Sequence, residues 1–239
     1  MGRITRNQKP ETGNRFVHWT LSRGQLLRAL PKHLLLAVLS GAVVGMLLYW
    51  LKDIQALPAW ALFIIMGTLW SNAAVIPVAL PGRYWSFAFI GALMLFLLLV
   101  AGMILAAKFE FPHSLVPYPR LPGQTEYEDE VNVITYAAIL TGGCLGLLYG
   151  LLSGKAGAMA VGLALGGAFG YILGLASVHA FSEHYNDPRG WFLWRFDSAL
   201  HFAWQGALAM LWLHLFAGLG AVLGAAPANR KSQIKNQKS

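Results

Sequence analysis

With 56% of its 239 residues hydrophobic and only 12% charged, the chain has too few polar side chains to cover a soluble domain of its size. The excess apolar surface has to face lipid. The formal net charge of +8 does not argue for nucleic acid, because the basic residues gather beside apolar stretches, where anionic headgroups attract them by about 1 kcal/mol each.

The first 32 residues are polar and carry Arg3, Arg6, Lys9, Arg15, Arg23, Arg28 and Lys32. They lack the short apolar core of a cleaved signal, and Arg6 stands where a myristoylation signal has Ser or Thr, so neither modification is expected. Residues 14–30 mix Arg15, Arg23 and Arg28 with Phe16, Trp19, Leu26, Leu27 and Leu30. That is the composition of a helix lying among lipid headgroups, here interrupted by Gly24.

Six apolar stretches without Asp, Glu, Lys or Arg follow, at residues 34–51, 57–80, 84–107, 132–152, 156–178 and 198–222. A hydrocarbon core of roughly 30 Å is crossed by about 20 helical residues, so each stretch is long enough to span. The expected fold class is all-α, a polytopic membrane helix bundle with six transmembrane helices. One domain covers 33–225, with outer connections at 108–131 and 179–197, and the basic tail 226–239 reads as disordered. Pro31 and Pro58 stand at expected helix starts, Pro81 and Gly82 close the second span, and Pro77 interrupts its last turns. Tyr49, Trp50, Trp60, Tyr84, Trp85 and Trp191 mark expected membrane interfaces.

An even number of spans puts both termini on one side. Arg83, Lys155, Arg230, Lys231, Lys235 and Lys238 join the seven N-terminal basic residues there, against Lys52, Lys108, Arg120, Arg189 and Arg195 on the other. By the positive-inside rule the termini are cytoplasmic, in a multi-pass plasma (inner) membrane protein whose cytoplasmic face meets anionic lipids. The acids follow the opposite pattern, with only Glu11 on the inner side.

Small residues point to close helix packing. Gly162, Gly166, Gly170 and Gly174 recur every four residues in the fifth span, and Gly41 with Gly45 and Gly142 with Gly146 repeat the spacing in the first and fourth. The expected partner of these stripes is a neighbouring helix of the same chain, with a homo-oligomer contact as the alternative. Residues 39–51 and 140–152 also echo one another at an offset of three spans, as the halves of an inverted repeat would. Gly154, in the turn after the fourth span, is expected to tolerate a side chain better than the stripe. The surrounding GLLSGKAG lacks the spacing of a phosphate-binding loop.

No acidic, Lys or Arg side chain lies within a span, which disfavours ion-coupled mechanisms that carry charge on such a group. Ser71, Asn72 and His214 are the candidate intramembrane polar residues. Cys144 has no second cysteine to pair with. At the outer ends of the fifth and sixth spans, His179 and Glu183 are one helical turn apart, as are Asp197 and His201, with His184 nearby. Two imidazoles and two carboxylates converging from adjacent helices can hold a divalent metal, or His179 and His201 a b-type haem. The alternative is an interfacial salt-bridge network with Arg189 and Arg195. His214 lies about 20 Å farther along the sixth helix, and with His33 assigned to the inner boundary it has no expected partner.

The function these features support is a non-enzymatic, permease-like component or a membrane subunit of a larger complex, with no cofactor assigned. The alternative is a membrane redox or metal-dependent enzyme subunit using the outer His, Asp and Glu residues.

Overall fold

The computed structural model describes residues 20–52, 57–82, 85–109, 128–186 and 198–225. They form six helices, α1 (Arg23–Lys52), α2 (Ala59–Ala79), α3 (Trp85–Phe109), α4 (Glu128–Ser153), α5 (Ala156–Asn186) and α6 (Ala199–Gly224). All six contain a segment long and apolar enough to cross a membrane, and no strand occurs among the described residues. This is the helix content of a multi-pass membrane protein. The expected interfacial residues 14–19 and the basic tail 226–239 lie outside the described residues.

Helix boundaries extend past the apolar runs where capping chemistry allows. Ser22 and Gln25 form a reciprocal capping box: the Ser22 amide donates to Gln25 Oε1 at 2.8 Å, and the Gln25 amide donates to Ser22 Oγ at 3.3 Å. Two otherwise orphaned donors are satisfied, and the helix starts at Arg23. Arg23–Leu30 are thus the first turns of α1, which continues through Pro31. At the other ends, α4 begins at Glu128, inside the expected 108–131 connection, and α5 runs on to Asn186. Ser198 caps α6 by accepting the His201 amide at 3.3 Å.

The start of α1, the α4–α5 turn and the end of α6 lie at one end of the bundle. The Leu21 amide donates to the Leu152 carbonyl, and Lys155 Nζ donates to the Ala225 carbonyl at 2.9 Å. Lys155 therefore covers a terminal acceptor of α6 with a positive charge, where the helix dipole favours one. The turn itself depends on Gly154, whose φ of 64° L side chains rarely adopt.

Helices α4 and α6 bury the largest shares of their lengths and form the centre. Helix α5 crosses α4 backbone against backbone: a Cβ on Gly166 would strike the Gly142 carbonyl, one on Gly162 that of Gly146, and one on Gly170 that of Ala138. Gly174 meets Thr135 in the same seam. Helix α1 crosses α6 in the same manner, Gly41 against Gly206 and Gly45 against Phe202. The glycine pairs that echo one another in sequence therefore serve different neighbours. In an inverted repeat, the close α4–α5 crossing would return as α1–α2, whereas the glycines of α1 face α6.

The α2–α3 hairpin completes the bundle. Pro77 has no amide hydrogen to offer the carbonyl of Ala73 one turn earlier, and α2 nevertheless continues to Ala79. Ser40 of α1 supplies the missing donor, its hydroxyl lying 2.9 Å from the Ala73 carbonyl and 3.1 Å from that of Ala37. Trp70 Nε1 donates to Thr141 Oγ1 at 3.0 Å and ties α2 to α4. In lipid each such bond removes a polar group that would otherwise lack a partner.

Candidate functional site

The antiparallel crossing of α1 and α6 sets the register of the site. Gly45 faces Phe202 and Gly41 faces Gly206. Moving toward the Lys155 end in steps of four residues brings Ala37 level with Met210 and His33 level with His214. About one turn further, Leu30 packs on Gly218, one residue off the same register. Two histidines thus stand at one level of a seam whose other positions are apolar or glycine.

Tyr149 of α4 fills the space beside both. Its hydroxyl lies 3.0 Å from His214 Nδ1. Its ring stacks on His33 with centroids 5.4 Å apart and meets the His214 ring edge-on at 5.9 Å. Tyr149 and His214 are fully buried and His33 is 2% exposed. The Ala74 carbonyl of α2 approaches the His214 ring without completing a hydrogen bond. His33 Nδ1 and His214 Nε2 have no hydrogen-bond partner. Buried polar atoms are paired in the great majority of cases, so these two ring nitrogens single the cluster out as a candidate polar site within the bundle.

The residues expected from sequence fall into different surroundings. Ser71 is buried with its hydroxyl unpartnered. Asn72 is exposed and donates to the Thr68 carbonyl of its own helix at 2.8 Å, so the two adjacent residues do not form one site. His214, expected to stand without a partner at its depth, shares Tyr149 with His33. The reason is the helix start: α1 begins at Arg23, and His33 therefore lies well inside that helix, buried in the bundle, and not at its first turn. The Tyr149 ring also occupies the space between the two imidazoles that a haem plane would need.

Of the outer-end residues, His179, Glu183 and His184 belong to the last turns of α5, with their side chains outside the described residues, as is all of Asp197. His201 is described, and its Nδ1 lies 2.7 Å from Ser198 Oγ, so one ring nitrogen is engaged with the cap of its own helix. Among the described residues there is no group of three or more His, Cys, Asp and Glu placed to hold a metal ion. Cys144 is free and buried on α4.

Sequence reasoning passed over Tyr149 and placed His33 at the inner boundary. The signal that pairs His33 with His214 is the register itself: a glycine pair on α1, glycine on α6, and a histidine two steps beyond on each. No protein-family model, curated protein or solved structure matches the chain.

Proposed function

We propose that the chain is a non-enzymatic, permease-like component of a plasma membrane, acting alone or as the membrane subunit of a larger assembly. The observation that carries this reading is the buried His33, Tyr149 and His214 cluster at the junction of α1, α4 and α6. Ionisable side chains at membrane depth are expensive, and where they occur they belong to binding sites or solute paths. The cluster lies in the half of the bundle that carries Lys155 and the two terminal helix ends. The excess of basic residues at that end supports its assignment to the cytoplasm, where anionic lipids would meet Arg28 and Lys32, both exposed on α1.

The test is flux through purified protein in liposomes, with a panel of small polar solutes and monovalent metal cations. The reading expects at least one flux that is lost in the His33→Ala plus His214→Ala double variant while insertion is retained. Empty-liposome permeability across the whole panel, for the chain alone and for any assembly purified with it in mild detergent, overturns it.

A further inference from the structure

We propose that the outward face of α1 holds one anionic phospholipid whose headgroup carries glycerol hydroxyls, seated on Arg28, Lys32 and the backbone carbonyl of Leu27. Arg28 and Lys32 stand one turn apart and are both exposed. Beyond them the same face of the helix is apolar, with Leu35, Leu39, Val43, Met46 and Trp50 all exposed. The helix rises about 27 Å from Lys32 to Trp50, close to the roughly 30 Å of a hydrocarbon core. With Trp50 at one interface, the two cations therefore stand at headgroup depth in the opposite leaflet. Two positive charges above a continuous apolar run match the charge and polarity profile of an anionic phospholipid. Arg28 offers a planar fork of donors to phosphate oxygens, and Lys32 adds a second positive charge.

The backbone beside these cations selects the headgroup. Pro31 lies inside α1 and has no amide hydrogen for the carbonyl of Leu27 one turn earlier. At Pro77 the equivalent acceptor is met by the Ser40 hydroxyl of another helix. At Pro31 both the proline and Leu27 are exposed, so the acceptor opens to the headgroup layer within a turn of Arg28 and Lys32. Side chains on a helix lean toward its N-terminus, which brings Lys32 over the turn that holds Leu27 and Arg28. The site thus offers two cations to a phosphate and an acceptor to a donor. A glycerol hydroxyl supplies that donor without charge, whereas the ammonium of a serine or ethanolamine headgroup would sit beside two cations. Phosphatidylglycerol is the simplest lipid that satisfies all three groups.

The proposal takes from the reading above only that this end of the bundle lies among headgroups. Lipid binding is read without flux, so failure of the lipid site leaves the permease reading standing, and absence of flux leaves the site standing. The experiment presents the full chain, in mild detergent, with equal amounts of phosphatidylglycerol, phosphatidylserine and phosphatidylcholine and counts retained lipids by native mass spectrometry. One phosphatidylglycerol per chain is expected, favoured over phosphatidylcholine by about 30-fold, the worth of two cations at the surface. Its advantage over phosphatidylserine should be about 3- to 10-fold, the worth of one hydrogen bond. Arg28→Gln plus Lys32→Gln should abolish the preference for anionic lipid, whereas Arg230→Gln plus Lys231→Gln, which removes the same charge elsewhere, should keep it. Pro31→Ala returns an amide to the Leu27 carbonyl and should bring phosphatidylglycerol and phosphatidylserine to parity, both still ahead of phosphatidylcholine.

Binding that survives the Arg28 and Lys32 changes overturns the proposal, as does an equal loss in the Arg230 and Lys231 variant, which would reduce the effect to net charge. A preference for phosphatidylglycerol that persists in Pro31→Ala overturns the part assigned to the Leu27 carbonyl. The competition in the unaltered chain decides independently if a variant does not fold: equal retention of phosphatidylglycerol and phosphatidylserine overturns the headgroup assignment.

Discussion

The Ser40 hydroxyl on α1 lies 2.9 Å from the carbonyl of Ala73 on α2, the acceptor that Pro77 deprives of its own helix's amide. A proline that weakens one helix thereby creates the polar contact that holds it to another. Ser40→Ala should destabilise the bundle by about 1–3 kcal/mol, the cost of leaving a buried acceptor unsatisfied. In a Pro77→Ala background, where the helix can bond Ala73 itself, the same substitution should cost markedly less. Unfolding of the four proteins in mixed micelles gives the double-mutant cycle, and equal costs in both backgrounds would show that Ser40 bonds only within α1.

The α4–α5 crossing leaves no room for side chains. Gly166→Leu should cost about 1–3 kcal/mol or more through overpacking, because its first carbon already meets the Gly142 carbonyl. Gly154→Ala should also cost about 1–2 kcal/mol, because the turn holds Gly154 at a φ of 64° and a Cβ there would meet Thr20. This revises the expectation that the loop position is the tolerant one. Gly24 is the proper control: nothing lies within 4 Å of its would-be Cβ, and Gly24→Ala should stabilise α1 by about 0.5–1 kcal/mol. Equal thermal stability of all three variants would remove the packing argument.

The positive-inside rule predicts that the end of the bundle shared by the start of α1, the α4–α5 turn and the end of α6 faces the cytoplasm. Cysteines introduced at Ser232 and Lys155 in a Cys144→Ala background should label together from the cytoplasmic side, and one at Gly123 from the outside. An impermeant maleimide added to intact cells reads this directly, and labelling of Ser232 and Gly123 from the same side would contradict six spans.

The number of helices was legible because span length depends on composition alone: six runs without charge, each about as long as a bilayer is thick. Helix ends were less legible, since a cap adds turns that apolar content does not signal. Ser22 and Gln25 extend α1 toward its N-terminus, and that extension decides whether His33 counts as a boundary residue or a buried one. Glycine spacing announced close crossings but not their partners, because Gly41 reads the same whether it faces α2 or α6. Tyr149 was hidden for a related reason: an aromatic near a span end ordinarily belongs to the headgroup belt, whereas here helices on either side cover it completely.

The Tyr149 and His214 pair should behave as one energetic unit. Tyr149→Phe removes the hydroxyl and leaves His214 with both ring nitrogens unpartnered, because Nε2 has no partner already. His214→Leu removes the ring and leaves the Tyr149 hydroxyl buried without a partner. Each should cost about 1–3 kcal/mol by the desolvation of the group left behind. The double variant replaces both members by apolar side chains and removes both orphans, so it should cost clearly less than the sum, with a coupling of about 1–2 kcal/mol. Unfolding in mixed micelles at constant detergent composition measures all four proteins. Additive costs would mean that the 3.0 Å contact contributes no net stability, and the hydroxyl would then have no part in orienting the His214 ring.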